Sequence, residues 1–342
     1  MVNTPHESAD SALSPTTWLG WQRFVTEDPP TPPTAGSAPR SMEERLVYHS
    51  RFVTVDTPAV AAISKAALTV RMLGRYQDAT ARPCLIVTGP PTTGKTTALL
   101  HMGRASHRAE MKRSPAAEKV PVVYVLVPPG ASAKALAEEF ARFLGVPLPG
   151  RMTLPQITAS VVASYARAGV GLVLVDEIHR LNPRTTSGAE AADWLKDLTE
   201  RIPATFVYAG IDVAESALLQ GVRGQQLSGR ATLVHTAPLS MTDHGKSPFT
   251  QLVTDMENAL DLTRHRPGTL QRLARYLHSR TGGRIGSLSR LIRQAALEAI
   301  TSGDERITKA SLETITLDHI AEENYRTRPP GAAAGRKPNK RQ

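Results

Sequence analysis

Gly89-Pro90-Pro91-Thr92-Thr93-Gly94-Lys95-Thr96-Thr97 is the stretch on which the fold turns. It satisfies the Walker A pattern G-x-x-x-x-G-K-[ST] at every fixed position. An apolar run of strand length, Cys84-Leu85-Ile86-Val87-Thr88, leads into it, and Ala98-Leu99-Leu100-His101-Met102 opens a helix after it. A strand, a glycine-bounded loop and a helix N-terminus are what phosphate binding needs. Backbone N–H groups of such a loop point at phosphate oxygens, and Gly94 removes the Cβ that would block the approach. The whole stretch is therefore the expected ATP-binding loop. Lys95 is placed to neutralise the β- and γ-phosphates, and the Thr96 hydroxyl to ligate Mg²⁺.

A second stretch completes the chemistry. Leu172-Val173-Leu174-Val175 are strand formers that end in Asp176-Glu177. This has the form of a Walker B strand followed by a second acid. At the C-terminal end of the strand Asp176 can hold Mg²⁺, directly or through water. Glu177 can orient and deprotonate an attacking water. Alone a strand ending in two acids says little. One strand and its helices after a complete Walker A, it points to a hydrolysis site.

The remaining pattern alternates. Residues 122–127, 205–209 and 231–235 read as further strands, and the unbroken apolar run at 122–127 implies burial on both faces. Helical spacing recurs at residues 57–76, 132–144, 153–169, 189–202 and 214–219. This gives a three-layer α/β domain with a parallel sheet. From residue 248 the period stays helical, with Phe249, Leu252, Val253, Met256 and Leu260 on one helix face, and the Gly282-Gly283 pair breaks a later helix. The expected organisation is a Pro/Ser/Thr-rich, mostly disordered lead over 1–40, an α/β core over 41–240, a small all-helical domain over 241–320 and a basic disordered tail over 321–342. Trp18, Trp21 and Phe24 interrupt the lead, either as a segment folding back on the core or as a partner-docking motif. Residues 103–119 read as a polar interval, either a solvated face or a basic surface toward a phosphate backbone, with Arg104, Arg108, Lys112 and Arg113 as its candidates.

The chain has 342 residues, 41 Lys+Arg against 31 Asp+Glu, a formal charge of +10 and a pI near 9.9. That charge suits a polyanionic partner without naming one. The single cysteine, Cys84, excludes an intrachain disulfide and a cysteine-based metal site. No apolar run reaches the length of a membrane span, and residues 1–7 lack a signal pattern, so a reducing cytoplasm is the expected address.

Several strings together resemble one family. They are Glu44-Arg45-Leu46 leading to Thr57, Asp176-Glu177-Ile178-His179-Arg180-Leu181, Ile202-Pro203 before the fourth strand, and Thr281-Gly282-Gly283-Arg284-Ile285-Gly286-Ser287-Leu288-Ser289-Arg290-Leu291. A P-loop α/β domain with a helical lid resembles the AAA+ ATPases, and this set is similar to the TniB/TnsC ATPase subunits of Tn7-like and Tn5053-like transposition systems. The resemblance covers about residues 41–317.

It implies an ATP site between protomers, homo-oligomeric rings or filaments on duplex DNA, and recruitment of a partner DDE transposase, with a target-selection subunit upstream. It implies an arginine finger reaching a neighbour's γ-phosphate, with Arg230 first and Arg223 second, and a lid arginine at Arg284 or Arg290. His179 is expected to support the reacting residues from behind or to sit at an interface, and not to be a metal ligand. One departure concerns the end of the fourth strand. Such ATPases place a polar side chain there to help hold the water, whereas this chain has Gly210-Ile211-Asp212, which implies slow hydrolysis. Two other readings stand beside this one. One is an AAA+ switch or remodeller acting on proteins, such as a helicase loader or defence regulator. The other is a monomeric nucleotide-binding module without turnover.

Overall fold

Five short runs of apolar and β-branched residues form one sheet: β1 (Cys84–Thr88), β2 (Val122–Leu126), β3 (Leu172–Asp176), β4 (Thr205–Gly210) and β5 (Ala231–His235). The computed structural model describes residues 14–34, 38–51, 57–75, 77, 82–115, 119–182, 184–213, 216–219, 221–241 and 247–326. Every strand pair is parallel, in the order β2-β3-β4-β1-β5. β1, β3 and β4 are buried at every residue, as strands covered on both faces must be. β2 and β5 are the two edges, and β5 is partly exposed.

In chain order the helices are α1 (Trp18–Thr26), α2 (Met42–Ser50), α3 (Pro58–Gly74), α4 (Lys95–Arg113), α5 (Ala133–Phe143), α6 (Leu154–Arg167), α7 (Thr186–Arg201), α8 (Gly221–Ser228), α9 (Pro248–Asn258), α10 (Thr269–Arg272), α11 (Ala274–Thr281), α12 (Ile285–Thr301), α13 (Lys309–Glu313) and α14 (His319–Arg326). Local chemistry sets many of their starts. Thr17, Thr57, Ser132, Thr185 and Ser247 each accept a first-turn N–H, and Pro58 and Pro248 occupy first-turn positions where a missing N–H costs nothing. Ser41 and Glu44 form a reciprocal capping box at α2.

The chain divides into two compact units, Met1–Asp28 with Asp56–Ala237, and Pro29–Val55 with Pro238–Gln342. The first unit holds the sheet. α3 and α4 pack side by side on it, and α5 packs on β2 and against α6 and α7. α4 continues through most of the polar interval as far as Arg113, because residues 104–113 contain no glycine or proline. The lead is likewise more ordered than its composition implies. α1 lies in it, with Trp21 fully buried against α4. Residues 1–13 and 35–37 lie outside the described set.

The second unit joins α2 to α9–α14 around Phe249, Leu252, Leu277, Leu288, Leu291 and Leu312. Sequence reading put residue 41 onward in the α/β domain. Long-range polar contacts draw α2 into the helical unit instead. Arg45 donates to both carboxylate oxygens of Glu305 at 2.6 and 2.9 Å, and Tyr48 Oη donates to the Ala259 carbonyl at 2.6 Å. Gly283, at φ 74°, sits where a Cβ would meet the Leu239 carbonyl oxygen at 2.3 Å, so the Gly-Gly break is a close backbone crossing as well as a helix end. α14 continues past the expected end of the domain, because Arg280 pairs with Glu322 at 2.9 Å and donates to the Ile315 carbonyl. Residues 327–342, most of the expected tail, lie outside the described set.

Candidate nucleotide site

The phosphate loop emerges from the C-terminal end of β1, between β4 and β5, where open parallel sheets bind ligands. Gly94 is the N-cap of α4 in the left-handed region (φ 87°) and brings no capping side chain. The first-turn N–H groups of α4 thus lack a side-chain acceptor, which is the arrangement that takes an anion. Gly89 is tied to the end of β5, since a Cβ there would meet the Thr236 carbonyl oxygen at 2.1 Å. The buried Thr93 hydroxyl lies 2.9 Å from the Pro90 carbonyl and 2.8 Å from Thr236 Oγ1. Pro91, Thr92 and Thr97 complete the loop and first turn, with Thr92 at φ 61°. Lys95 Nζ donates to the Gly89 and Pro90 carbonyls, each at 2.7 Å, so its charge lies across the loop.

β3 brings Asp176 to the same edge. Its carboxylate is buried, and both oxygens have donors. The Thr96 hydroxyl donates to Oδ2 at 2.7 Å, the Tyr124 phenol to the same oxygen at 3.1 Å, and the Glu177 N–H to Oδ1 at 2.8 Å. Burial, with Asp176 adding to it, pushes the Tyr124 pKa far up, so this phenol stays a donor. Among the described residues no group of three or more His, Cys, Asp or Glu side chains can hold a metal ion. One hydroxyl and one carboxylate still fit Mg²⁺, an oxygen-seeking ion that keeps several waters and shares phosphate oxygens.

Glu177 sits in the left-handed region, φ 60° and ψ 34°, a placement that costs a non-glycine residue about 1–2 kcal/mol. Its carboxylate lies 3.2 Å from His179 Nε2 and 3.7 Å from Arg180 Nε. Arg180 also donates to the Val127 carbonyl at 2.8 Å. His179 Nδ1 accepts the Ile211 N–H at 3.4 Å, which leaves the Nε2 proton facing Glu177. The end of β4 can approach this closely because residue 210 is glycine, where a Cβ would meet Ile178 Cγ2 at 2.8 Å. Ile211 therefore contributes a backbone N–H where a polar side chain was sought, and Asp212 is exposed beside it.

Within the first unit the structure brings together the loop, Asp176 and Glu177, and not Arg230. Arg230 precedes β5, at the opposite edge of the sheet. Its guanidinium lies on α7, 3.5 Å from Thr199 Oγ1 and 3.7 Å from Glu200. Arg223 lies in α8, and Arg284 is the N-cap of α12 in the second unit, with Arg290 exposed on that helix. Arg104 and Arg108 are not presented outward as a phosphate-facing row. Arg104 donates to the Phe24 and Glu27 carbonyls, and Arg108 to Val25 and Asp28, so both secure the end of α1. Arg113 pairs with Glu110. Motif reading missed Tyr124 and Thr236, because only strand pairing places them at the site.

Comparison with solved structures gives the fold. The chain resembles the ORC1 protein of Aeropyrum pernix, solved in complex with DNA, at a TM-score of 0.59 and 18% identity over 78% of this chain and 66% of that one. It resembles the ORC2 protein of the same organism, solved as ADPNP–ADP complexes, at 0.59 and 15% identity over 88% and 71%. It resembles Drosophila ORC bound to DNA at 0.52 and 16% identity over 86% and 71%. The chain thus spans about two thirds of the ORC1 length, and at these identities the likeness is one of architecture alone, a P-loop α/β fold with helices following it. Comparison with curated proteins gave no significant match. Among the described residues no helix is long and apolar enough to cross a membrane. The model of the bacterial TniB protein family matches residues 50–238, more than half of the chain, and the chain belongs to that family.

Proposed function

We propose that this TniB-family chain hydrolyses ATP slowly, assembles as a homo-oligomer on duplex DNA and recruits a DDE transposase to it. The observation that carries this reading is an intact Thr96–Asp176–Glu177 constellation beside a P-loop in a TniB-family chain. The net charge of +10 is consistent with a polyanionic partner. Two of the structures it resembles were solved with DNA, which is consistent with it too.

In this mechanism the α4 N-terminus and Lys95 bind the phosphates, and Lys95 exchanges its two loop carbonyls for phosphate oxygens. Thr96 and Asp176 would hold Mg²⁺, which supplies charge neutralisation between the β- and γ-phosphates. Glu177 orients a water and takes its proton. Arg230 of a neighbouring protomer supplies fixed positive charge to the γ-phosphate, and Arg284 contributes from the helical unit. Ile211 offers no side chain to the water, which favours slow turnover and an ATP state that persists as an assembly signal.

The test is duplex binding with ATP, with a slowly hydrolysed analogue and with ADP, followed across salt concentration and inspected by electron microscopy. Rings or filaments are expected with ATP on DNA, with affinity falling steeply in log–log fashion as salt rises. No duplex affinity at low salt with ATP or the analogue would overturn the DNA reading and leave a switch acting on proteins.

A further inference from the structure

The first unit carries a second concavity, at the opposite edge of the sheet from the phosphate loop. It lies between α3 and α4, is floored by Pro121, Gly171, Pro203 and Thr205 where β2, β3 and β4 begin, and encloses about 570 Å³. That volume is in the range of ligand pockets. Among the described residues four arginines line it, Arg71, Arg75, Arg82 and Arg113, against one acid, Glu110.

Glu110 is already taken by Arg113 at 2.6 Å. Among the described residues Arg71 and Arg82 have no hydrogen bond or ion pair. Arg71 is also largely out of water, and burial lowers its pKa, with Glu110 only partly opposing the effect. A desolvated guanidinium without an acceptor is costly, and a ligand carboxylate would relieve it with two parallel hydrogen bonds. Beside the cations runs an apolar row. Leu68 and Met72 are 57% and 59% exposed, unusual for side chains of that size on a helix that packs on a sheet. Leu68 and Met72 form one i,i+4 pair on α3, and Arg71 and Arg75 form the adjacent one.

Single-stranded nucleic acid is held chiefly by stacking on aromatic side chains, and among the described residues no aromatic side chain lines this cleft. A chain with carboxylates at alternate positions does fit. Extended residues two apart repeat at about 6.5 Å, close to the spacing of about 5–6 Å across an i,i+4 pair.

We propose that this cleft is a docking site for an acidic, apolar-bearing peptide segment of a partner protein. The test is selection of a random dodecapeptide display library on the full-length protein with ATP. Selected peptides should carry Asp or Glu beside Leu, Ile or Phe, and their affinity should fall at least about tenfold in Arg71→Glu and in Arg75→Glu, the order of one charge-assisted contact. Arg75 is exposed, so its variant keeps the test valid if the Arg71 variant fails to fold. ATP affinity should stay unchanged in both. The proposal is overturned if no acidic sequences are enriched, or if those enriched bind Arg75→Glu as tightly as the parent. Loss of affinity for a short duplex in Arg75→Glu, with peptide binding intact, overturns it in favour of nucleic acid.

Discussion

In the proposed mechanism turnover depends on Glu177, and its left-handed backbone is part of how it is aimed. The left-handed conformation turns the chain sharply after Asp176, so that two adjacent acids serve different tasks. Replacing Glu177 by Gln should lower kcat by about 10²–10⁴-fold and leave ATP affinity unchanged, because it removes the proton acceptor and keeps the shape. Single-turnover assays with equilibrium nucleotide binding separate the two effects. His179 connects the end of β4 to that carboxylate. In His179→Ala, kcat should fall by about tenfold, the worth of a hydrogen bond to a charged group, with KM little changed. A parallel loss of ATP affinity would assign His179 to binding instead. The loop, Asp176 and Glu177 were legible in the sequence because few residue types can do their work, and each lies in a fixed local pattern. Tyr124 and Thr236 were not, because their roles arise only when β2 pairs with β3 and β5 with β1.

At the scale of elements, α1 and α4 show where local reading stops. Strand and helix periodicity placed the sheet and most of its helices, since burial imposes that spacing on the sequence. Trp18, Trp21 and Phe24 gave no such period, and the Pro-rich surroundings favoured disorder. The structure resolves the two readings in favour of packing. Trp21 stacks on Tyr124 with ring centroids 6.3 Å apart, donates from Nε1 to His107 Nδ1 at 3.2 Å, and reaches α4 where Gly103 leaves room for it. Arg104 and Arg108 then satisfy carbonyls at the C-terminal end of α1, which have no intrahelical partner. Trp21→Ala should destabilise the first unit by about 3–5 kcal/mol, measured by denaturant unfolding. A change below about 1 kcal/mol would show that α1 is a loosely held appendage.

For the molecule as a whole, acid stability follows from His49 in the second unit. Burial lowers its pKa from 6.5 to about 4, while Asp261 opposes the shift and Arg293 and Arg45 add to it. The unfolded chain therefore takes up a proton near pH 6.5 that the folded chain refuses until about pH 4. Stability is held above pH 6.5 and declines as pH falls through that window, by about 3 kcal/mol in total. Unfolding midpoints between pH 7 and pH 4 should show this slope, and His49→Gln should flatten it. An unchanged slope in that variant would place the acid sensitivity elsewhere.

The packing of α1 also bears on where the ATPase begins. The family likeness starts at residue 50, yet the folded unit reaches back to α1. A truncation that starts at residue 50 would strip Trp21 from the back of Tyr124, whose phenol holds the same Asp176 oxygen as Thr96. It would also leave the Arg104 and Arg108 guanidinium groups without their carbonyls. Such a fragment, though complete in every motif, would hold the Asp176 carboxylate less firmly. A low turnover measured on such a fragment would report the truncation and not the family.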